Sequence, residues 1–357
     1  MLTLNAVSKR YGDTIALDRL SVSVPEDSYV SLLGASGSGK TTLLRIIAGF
    51  EEPDSGTVSL SDKRLDGVPP HKRDIGFVFQ NFALFPHLNV GDNIAFGLRY
   101  REDDPVTNET EIGERVGDII RLVGLEGLAG RKVSAISGGQ RQRVALARTL
   151  VTEPRVVLLD EPLGALDANL RERMCDELRQ IRQRLKVTFL HVTGSETEAL
   201  LMGDVVAVLS RATIAQFEPA SRLFAEPRNA DVARHLNAYN ILSGTVAGGQ
   251  FQSPSVQFPL AQTVAVRDGT PVDIAVRFDR IKVQPEMTAG DAAVRARFIT
   301  SEFTGSTVLS FFRTEDGQLL QVVSHLSGPM PDMFVKDEVY SLAFDPADTV
   351  PFFERAA

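Results

Sequence analysis

Apolar residues follow several rhythms along the chain. Leu2, Leu4 and Ala6 alternate with polar neighbours, and Val22 and Val24 alternate again before Pro25, which predicts two half-exposed antiparallel strands with Tyr11-Gly12 in the turn between them. Tyr29 to Leu33 is a strand-like run, and Leu43, Leu44, Ile46 and Ile47 then recur at helical spacing up to Gly49, where a glycine closing a helix belongs. Glu51 to Gly67 is rich in Asp, Ser, Gly and Pro around a short strand at Thr57–Leu60, and reads as connecting structure. Ile75 to Phe79 is a continuous apolar strand that ends at Gln80. Arg101 to Glu114 reads as an exposed connection into a helix carrying Val116, Ile119, Ile120 and Val123. A helix with Val144, Leu146, Ala147 and Leu150, a buried strand at Val156–Leu159, and an amphipathic helix marked by Leu170, Met174, Leu178, Ile181 and Leu185 follow. Beyond Asn240 the pattern becomes short alternating runs (Val272–Val276, Val294–Ile299, Val308–Phe312, Val339–Phe344) separated by Gly, Pro and Asp, the signature of an all-β barrel. The expected division lies between residues 1–239 and 240–357.

Between the strand at 29–33 and the helix after it stands Gly34-Ala35-Ser36-Gly37-Ser38-Gly39-Lys40-Thr41-Thr42, which fits the phosphate-loop pattern. Glycines allow a tight turn that aims successive N–H groups at phosphate oxygens, Lys40 supplies a point charge, Thr41 Oγ1 can ligate Mg²⁺, and the following helix directs its positive end at the anion. This is a nucleotide triphosphate site. Asp160-Glu161 ends the apolar strand at 156–159, where the first carboxylate can hold Mg²⁺ and the second can polarise a water attacking the γ-phosphate. Ser137-Gly138-Gly139-Gln140 opens a helix and leaves free N–H groups, a second anion site. One nucleotide does not need two cradles; two copies placed head to tail would use both.

Other residues read two ways. Tyr11 suits half-buried packing or a platform for a nucleotide base. Gln80, at a strand end, can reach a metal or water above a parallel sheet, which lone glutamines seldom do. Phe82 to Phe96 suits core packing or a groove for a partner's helix. Asp167 can simply cap the helix that it precedes.

The 357 residues carry 38 basic against 46 acidic side chains, a formal charge of -8, so no global footprint for nucleic acid exists. Arg131, Lys132, Arg141, Arg143 and Arg148 read as a solvated helix face. No apolar run approaches the ~18 residues of a membrane span and no signal segment shows, so a cytoplasmic location is expected. The single cysteine, Cys175, reads as core or groove filler.

From Leu2 to about Asn240 these residues closely resemble the ATP-binding subunits of ABC transporters, within them the importers of spermidine/putrescine, iron(III), sulfate and similar solutes; Phe85-Pro86-His87 and Ile94 to Leu98 look most like the polyamine and iron branch. The resemblance implies a P-loop ATPase cassette, a mixed sheet with a helical subdomain, followed by a small OB-like domain that pairs subunits, for which Val276-Arg277 and Phe303-Thr304-Gly305 speak. It implies that Tyr11 stacks on adenine, that residues 34–42 hold the phosphates, and that Gln80 senses Mg²⁺ and the membrane subunit. It further implies that Ser137–Gln140 close the partner copy's site, that Asp160 is the metal aspartate, that Glu161 is the catalytic base and that Asp167 reaches across the dimer. ATP and Mg²⁺, a second copy, two permease subunits and an external solute-binding protein come with it, at the cytoplasmic face of the inner membrane. A soluble ABC ATPase, or a nucleotide-gated regulatory subunit with little hydrolysis, are the alternatives.

The chain departs from the family at Val192-Thr193-Gly194-Ser195-Glu196, where Gly194 stands in place of the switch histidine that contacts the γ-phosphate. His191 lies three residues earlier, and an odd offset along a strand points it away from the site. Ile136 for leucine, and Asp27-Ser28 for a Gly-Glu pair, are milder departures, since Asp tolerates a left-handed turn.

Overall fold

The computed structural model describes residues 1–102, 104–164, 168–260, 266–284, 292–326 and 334–353, the side chains of 168–170 excepted. Two compact units divide at 225/226.

In the first unit the chain runs β1 (Leu2–Tyr11), β2 (Thr14–Val24), β3 (Tyr29–Leu33), α1 (Lys40–Ala48), β4 (Ser55–Leu60), β5 (Lys63–Arg64), β6 (Ile75–Val78), α2 (Val90–Tyr100) and α3 (Glu109–Leu122). It continues through α4 (Gly138–Leu150), β7 (Val156–Asp160), α5 (Ala168–Leu185), β8 (Thr188–Thr193), α6 (Glu196–Met202), β9 (Val205–Ser210), β10 (Thr213–Pro219) and α7 (Ala220–Ala225). An antiparallel sheet has the order β2-β1-β4-β5, and a six-stranded sheet the order β10-β9-β3-β8-β7-β6, parallel from β9 to β6 with β10 antiparallel at one edge.

Side chains of the central strands alternate between two cores, as the period of two requires. Val30, Leu32, Leu158, Leu190 and Val192 join Leu43, Leu44, Ile46 and Ile47 of α1 and the apolar face of the antiparallel sheet. Tyr29, Val157, Leu159 and Phe189 join the faces of α2 to α5 on the other side. The C-terminal ends of β3, β6, β7 and β8 all point one way, and α1 begins there.

Two expectations need correction. The stretch from Arg101 to Glu114 is not all connection, since α3 already starts at Glu109. Asn108 accepts from the N–H groups of Thr110 and Glu111, and Glu109 and Glu111 lie in the first turn, where carboxylates favour the positive helix end. Nor are all five basic residues a solvated face: Arg143 donates to the Val123 and Gly124 carbonyls at 3.4 and 3.1 Å, closing the end of α3, and Arg148 is half-buried, with a role described below. Cys175 is buried, and burial raises its thiol to about 11, so filler it is. Asp27 adopts a φ of 49°, the left-handed turn its side chain tolerates.

The second unit runs α8 (Ala230–His235), β11 (Tyr239–Ala247), β12 (Gln250–Gln252), β13 (Gln257–Pro259), β14 (Pro271–Arg277), β15 (Lys282–Gln284), β16 (Ala292–Phe303), β17 (Thr307–Thr314), β18 (Leu319–His325), β19 (Val339–Phe344) and β20 (Thr349–Phe353). Two five-stranded antiparallel sheets, β13-β12-β11-β14-β20 and β15-β19-β16-β17-β18, share one core of Leu242, Phe251, Phe258, Ile274, Val294, Phe312 and Leu342. The unit is mostly β, as the alternating runs predict, and OB-like, as the resemblance implies.

Candidate functional site

Residues 34–42 connect β3 to α1. A Cβ on Gly34 would lie 2.5 Å from the Leu209 carbonyl oxygen of β9, so only glycine fits where the loop leaves the sheet. Gly39 has a φ of 103°, and a Cβ there would lie 2.3 Å from the Ala16 carbonyl oxygen; glycine tolerates both the angle and the approach. The tip, Ala35 to Gly37, is exposed. Lys40 is buried and its Nζ donates to the carbonyls of Gly34 and Ala35 at 2.7 and 2.8 Å, which folds the ammonium back across the loop. Burial lowers its pKa, while the charges of Glu161 and Asp160 work in the opposite direction. The Ser38 hydroxyl is buried with no hydrogen-bond partner among the described residues. A buried donor inside a loop of N–H groups at a helix start is what a phosphate oxygen would satisfy.

Asp160 ends β7, and Glu161 follows at a φ of 45°. Thr41 Oγ1 lies 3.4 Å from Asp160 Oδ1, and Gln80 Nε2 lies 3.2 Å from Glu161 Oε2. The structure therefore brings together Lys40, Thr41, Asp160, Glu161 and Gln80. Burial, then the Glu161 charge, raises the Asp160 pKa from its ordinary value. A cation beside Asp160 would reverse that, because a positive charge favours the ionised form. Thr41 and Asp160 offer hard oxygen atoms of the kind Mg²⁺ takes, one carboxylate and one hydroxyl, leaving other positions for water and phosphate. Among the described residues no group of three or more His, Cys, Asp or Glu could cage a metal by itself. The residues present fit an ion shared with a nucleotide.

β8 lies between β3 and β7, with Thr193 paired to Leu33 and Val192 to Asp160, so Gly194 emerges between the phosphate loop and Glu161. Gly194 is exposed, and a Cβ there would meet nothing within 4 Å. His191 is fully buried on the other face, its ring edge-on to Tyr29 at 5.9 Å between centroids. Burial holds its pKa down to about 3, and neither ring nitrogen has a hydrogen-bond partner among the described residues. It does not approach the site.

After Gln80 the backbone takes left-handed conformations at Phe82 and Ala83, with φ of 63° and 46°. Arg148 of α4 donates to both their carbonyls, at 3.0 and 2.7 Å, and stands 5.4 Å from the Phe85 ring centroid. Asn93 of α2, fully buried, accepts the Phe85 N–H at 2.9 Å and donates to the Phe85 and Asn89 carbonyls. Sequence reasoning missed both residues as organisers of this loop. An amide inside the apolar stripe of a helix was the available sign for Asn93. Phe85 and Phe96 pack at 4.3 Å and Phe96 on Tyr100 at 4.8 Å, with Tyr100 70% exposed, so one edge of this aromatic set is open to solvent while Phe82 and Leu84 pack on the core.

Ser137 caps α4 through a capping box with Gln140, leaving its exposed face free. No hydrogen bond or ion pair joins Ser137–Gln140 to residues 34–42 among the described residues. Tyr11, 45% exposed at the end of β1, bonds its hydroxyl to Glu51 with Lys9 Nζ 5.7 Å from its ring centroid. Asp167 lies outside the described residues.

Comparison with known proteins agrees with this geometry. The family model for the ABC transporter matches residues 17–164, and that for the TOBE domain matches residues 274–352. The spermidine/putrescine import ATP-binding protein PotA of Rubrobacter xylanophilus is 42% identical over 322 residues, 88% of this chain and 84% of that protein. The protein of the same name from Nitratidesulfovibrio vulgaris is 36% identical over 98% of this chain and 94% of its own length. Among solved structures, a post-hydrolysis dimer of the ATP-binding cassette MJ0796 bound to ADP and Pi is similar at 30% identity and a TM-score of 0.55, covering 62% of this chain and 99% of that one.

Proposed function

The chain belongs to the ABC transporter family as an ATP-hydrolysing subunit of an importer, and from that premise we propose that it powers polyamine uptake through ATP sites shared between two copies of itself. One observation carries the site assignment: Thr41 with Asp160, and Gln80 with Glu161, converge beside Lys40 at the ends of parallel strands. That the relatives named above are spermidine/putrescine importers supports the solute.

In this reading the loop Gly34-Ala35-Ser36-Gly37-Ser38-Gly39 wraps the phosphates with backbone N–H groups, and Ser38 finds an acceptor. Lys40 exchanges its loop carbonyls for phosphate oxygens. Thr41, Asp160 and Gln80 would hold Mg²⁺, which would supply charge to neutralise the phosphates. Thr42 extends the cradle at the start of α1. Glu161 accepts the proton of the attacking water, and Gln80, already bonded to it, orients it. Tyr11 offers its exposed ring to adenine. Ser137, Gly138, Gly139 and Gln140 close over the nucleotide of the other copy, which accounts for their having no bond to the phosphate loop of their own chain.

The first unit, residues 1–225, acts as the cassette and the second, residues 226–357, as the pairing domain; the border expected at 239/240 would cut β11, which belongs to the second unit. The dimer docks on two permease subunits at the cytoplasmic face of the membrane, with an external solute-binding protein delivering the cargo. Among the described residues no helix is long and apolar enough to cross a membrane, consistent with a peripheral subunit. Cells lacking the chain should lose ATP-dependent uptake of labelled spermidine and putrescine, which the natural chain restores and Lys40→Ala does not. Uptake that is unchanged without the chain would contradict the polyamine assignment.

A further inference from the structure

Glu198 is a carboxylate that the reading above does not use. It sits on α6, only 5% exposed, and its two carboxylate oxygens and its N–H each meet a polar partner. Oε2 accepts the Thr193 hydroxyl at 2.7 Å, that hydroxyl accepts the Ser195 N–H at 2.9 Å, and Ser195 Oγ accepts the Glu198 N–H at 3.3 Å. These three bonds close a ring around Gly194. The other oxygen, Oε1, lies 3.2 Å from Arg171 Nε on α5, the helix that follows the segment after Glu161. His191 Nε2 stands 3.8 Å from Oε2, and His191 is held neutral, so it neither competes for the carboxylate nor supplies its counter-charge.

The position of that ring gives it a function. Thr193 pairs with Leu33, the residue before the phosphate loop, and the Glu161 N–H donates to the Val192 carbonyl at 3.1 Å. The turn at 193–195, where β8 ends, thus lies beside the phosphate loop and Glu161, and its conformation decides what lies opposite the γ-phosphate. An exposed glycine with open space around it would leave this turn free to wander. A buried carboxylate with two hydrogen-bonded or ionic partners is a costly group to keep, since burying charge is unfavourable unless the partners compensate. Burial does push the Glu198 carboxyl upward, while Thr193 and Arg171 favour its ionised form.

We propose that Glu198 is a positioning residue for ATP hydrolysis, fixing the Thr193-Gly194-Ser195 turn and tying it to α5 through Arg171. The proposal rests on the ATPase reading. Displacing groups around a reacting centre by about 1 Å costs on the order of 10²-fold in rate, so Glu198→Ala should lower kcat for Mg²⁺-ATP by about 10- to 100-fold and leave KM within about twofold. Glu198→Gln, whose amide oxygen still accepts from Thr193, should retain most of kcat. Thr193→Val, matched in shape, removes the hydroxyl from the ring and should lower kcat as Glu198→Ala does. Hydrogen exchange in nucleotide-free protein supplies a readout apart from activity: the Ser195 and Glu198 amides should exchange faster in Glu198→Ala and Thr193→Val, and at the natural rate in Glu198→Gln.

Natural kcat in Glu198→Ala, or in Thr193→Val should Glu198→Ala fail to fold, would overturn the proposal. So would a rise in KM with kcat intact. Failure of the ATPase reading looks different, because phosphate release by the natural protein would then equal that of Glu161→Gln.

Discussion

Gly194 and His191 show how much a single position decides. Both lie on or just beyond β8, three residues apart, yet one emerges beside the phosphate loop and the other is buried against Tyr29. Strand parity alone made that separation legible, because an odd offset changes face. Sequence could not tell whether a side chain fits at 194. It does: a Cβ would meet nothing within 4 Å, and the backbone lies outside the left-handed region. A preorganised donor to transition-state charge contributes ~3 to 4 kcal/mol, or about 10²- to 10³-fold in rate, and glycine supplies none. Gly194→His should therefore raise steady-state phosphate release at saturating Mg²⁺-ATP by at least about tenfold, with ATP affinity unchanged because Lys40 and Thr41 are untouched. Equal rates in the two proteins, together with loss of activity in His191→Ala, would mean that β8 rearranges and His191 serves after all.

Among the elements, those with a strong period were readable and those shaped by tertiary bonds were not. β3 announced itself through an apolar run, β14 through an alternating one, and α4 through Ser137 with its two glycines and the apolar positions from Val144 to Leu150. The loop from Gln80 to Phe85 did not, because two non-glycine residues in left-handed conformations are held there by an arginine 65 or 66 positions away. Local propensity cannot express such a bond, and Arg148 accordingly read as a surface residue. The start of α3 was missed for a milder reason: Asn108 caps it, but a charged first turn hides the apolar stripe that begins at Ile112. The open edge of the aromatic set on α2 now has a consequence. Because Phe85 is only half-buried, with Phe96 and the Arg148 guanidinium close to its ring, Phe85→Ala should leave ATP binding by the isolated subunit intact while reducing copurification with the permease severalfold. Unchanged permease yield with unchanged transport would assign Phe85 to packing alone.

At the scale of the whole molecule each chain carries the glycine-rich loop at the start of α1 and the Ser137–Gln140 stretch at the start of α4, with no hydrogen bond or ion pair between the two among the described residues. In the proposed reading only a second copy makes both useful at one nucleotide, in keeping with the dimeric cassette structure to which this chain is similar. On that reading hydrolysis reopens the pair, so removing the proposed general base should arrest it closed. Loss of such a base lowers turnover by ~10²- to 10⁴-fold, and Glu161→Gln keeps the hydrogen-bonding shape next to Gln80 while withdrawing the proton acceptor. The most direct measurement is light scattering of Glu161→Gln at saturating Mg²⁺-ATP: a stable dimer with ATP retained is the predicted result, and a monomer under those conditions would contradict the shared site.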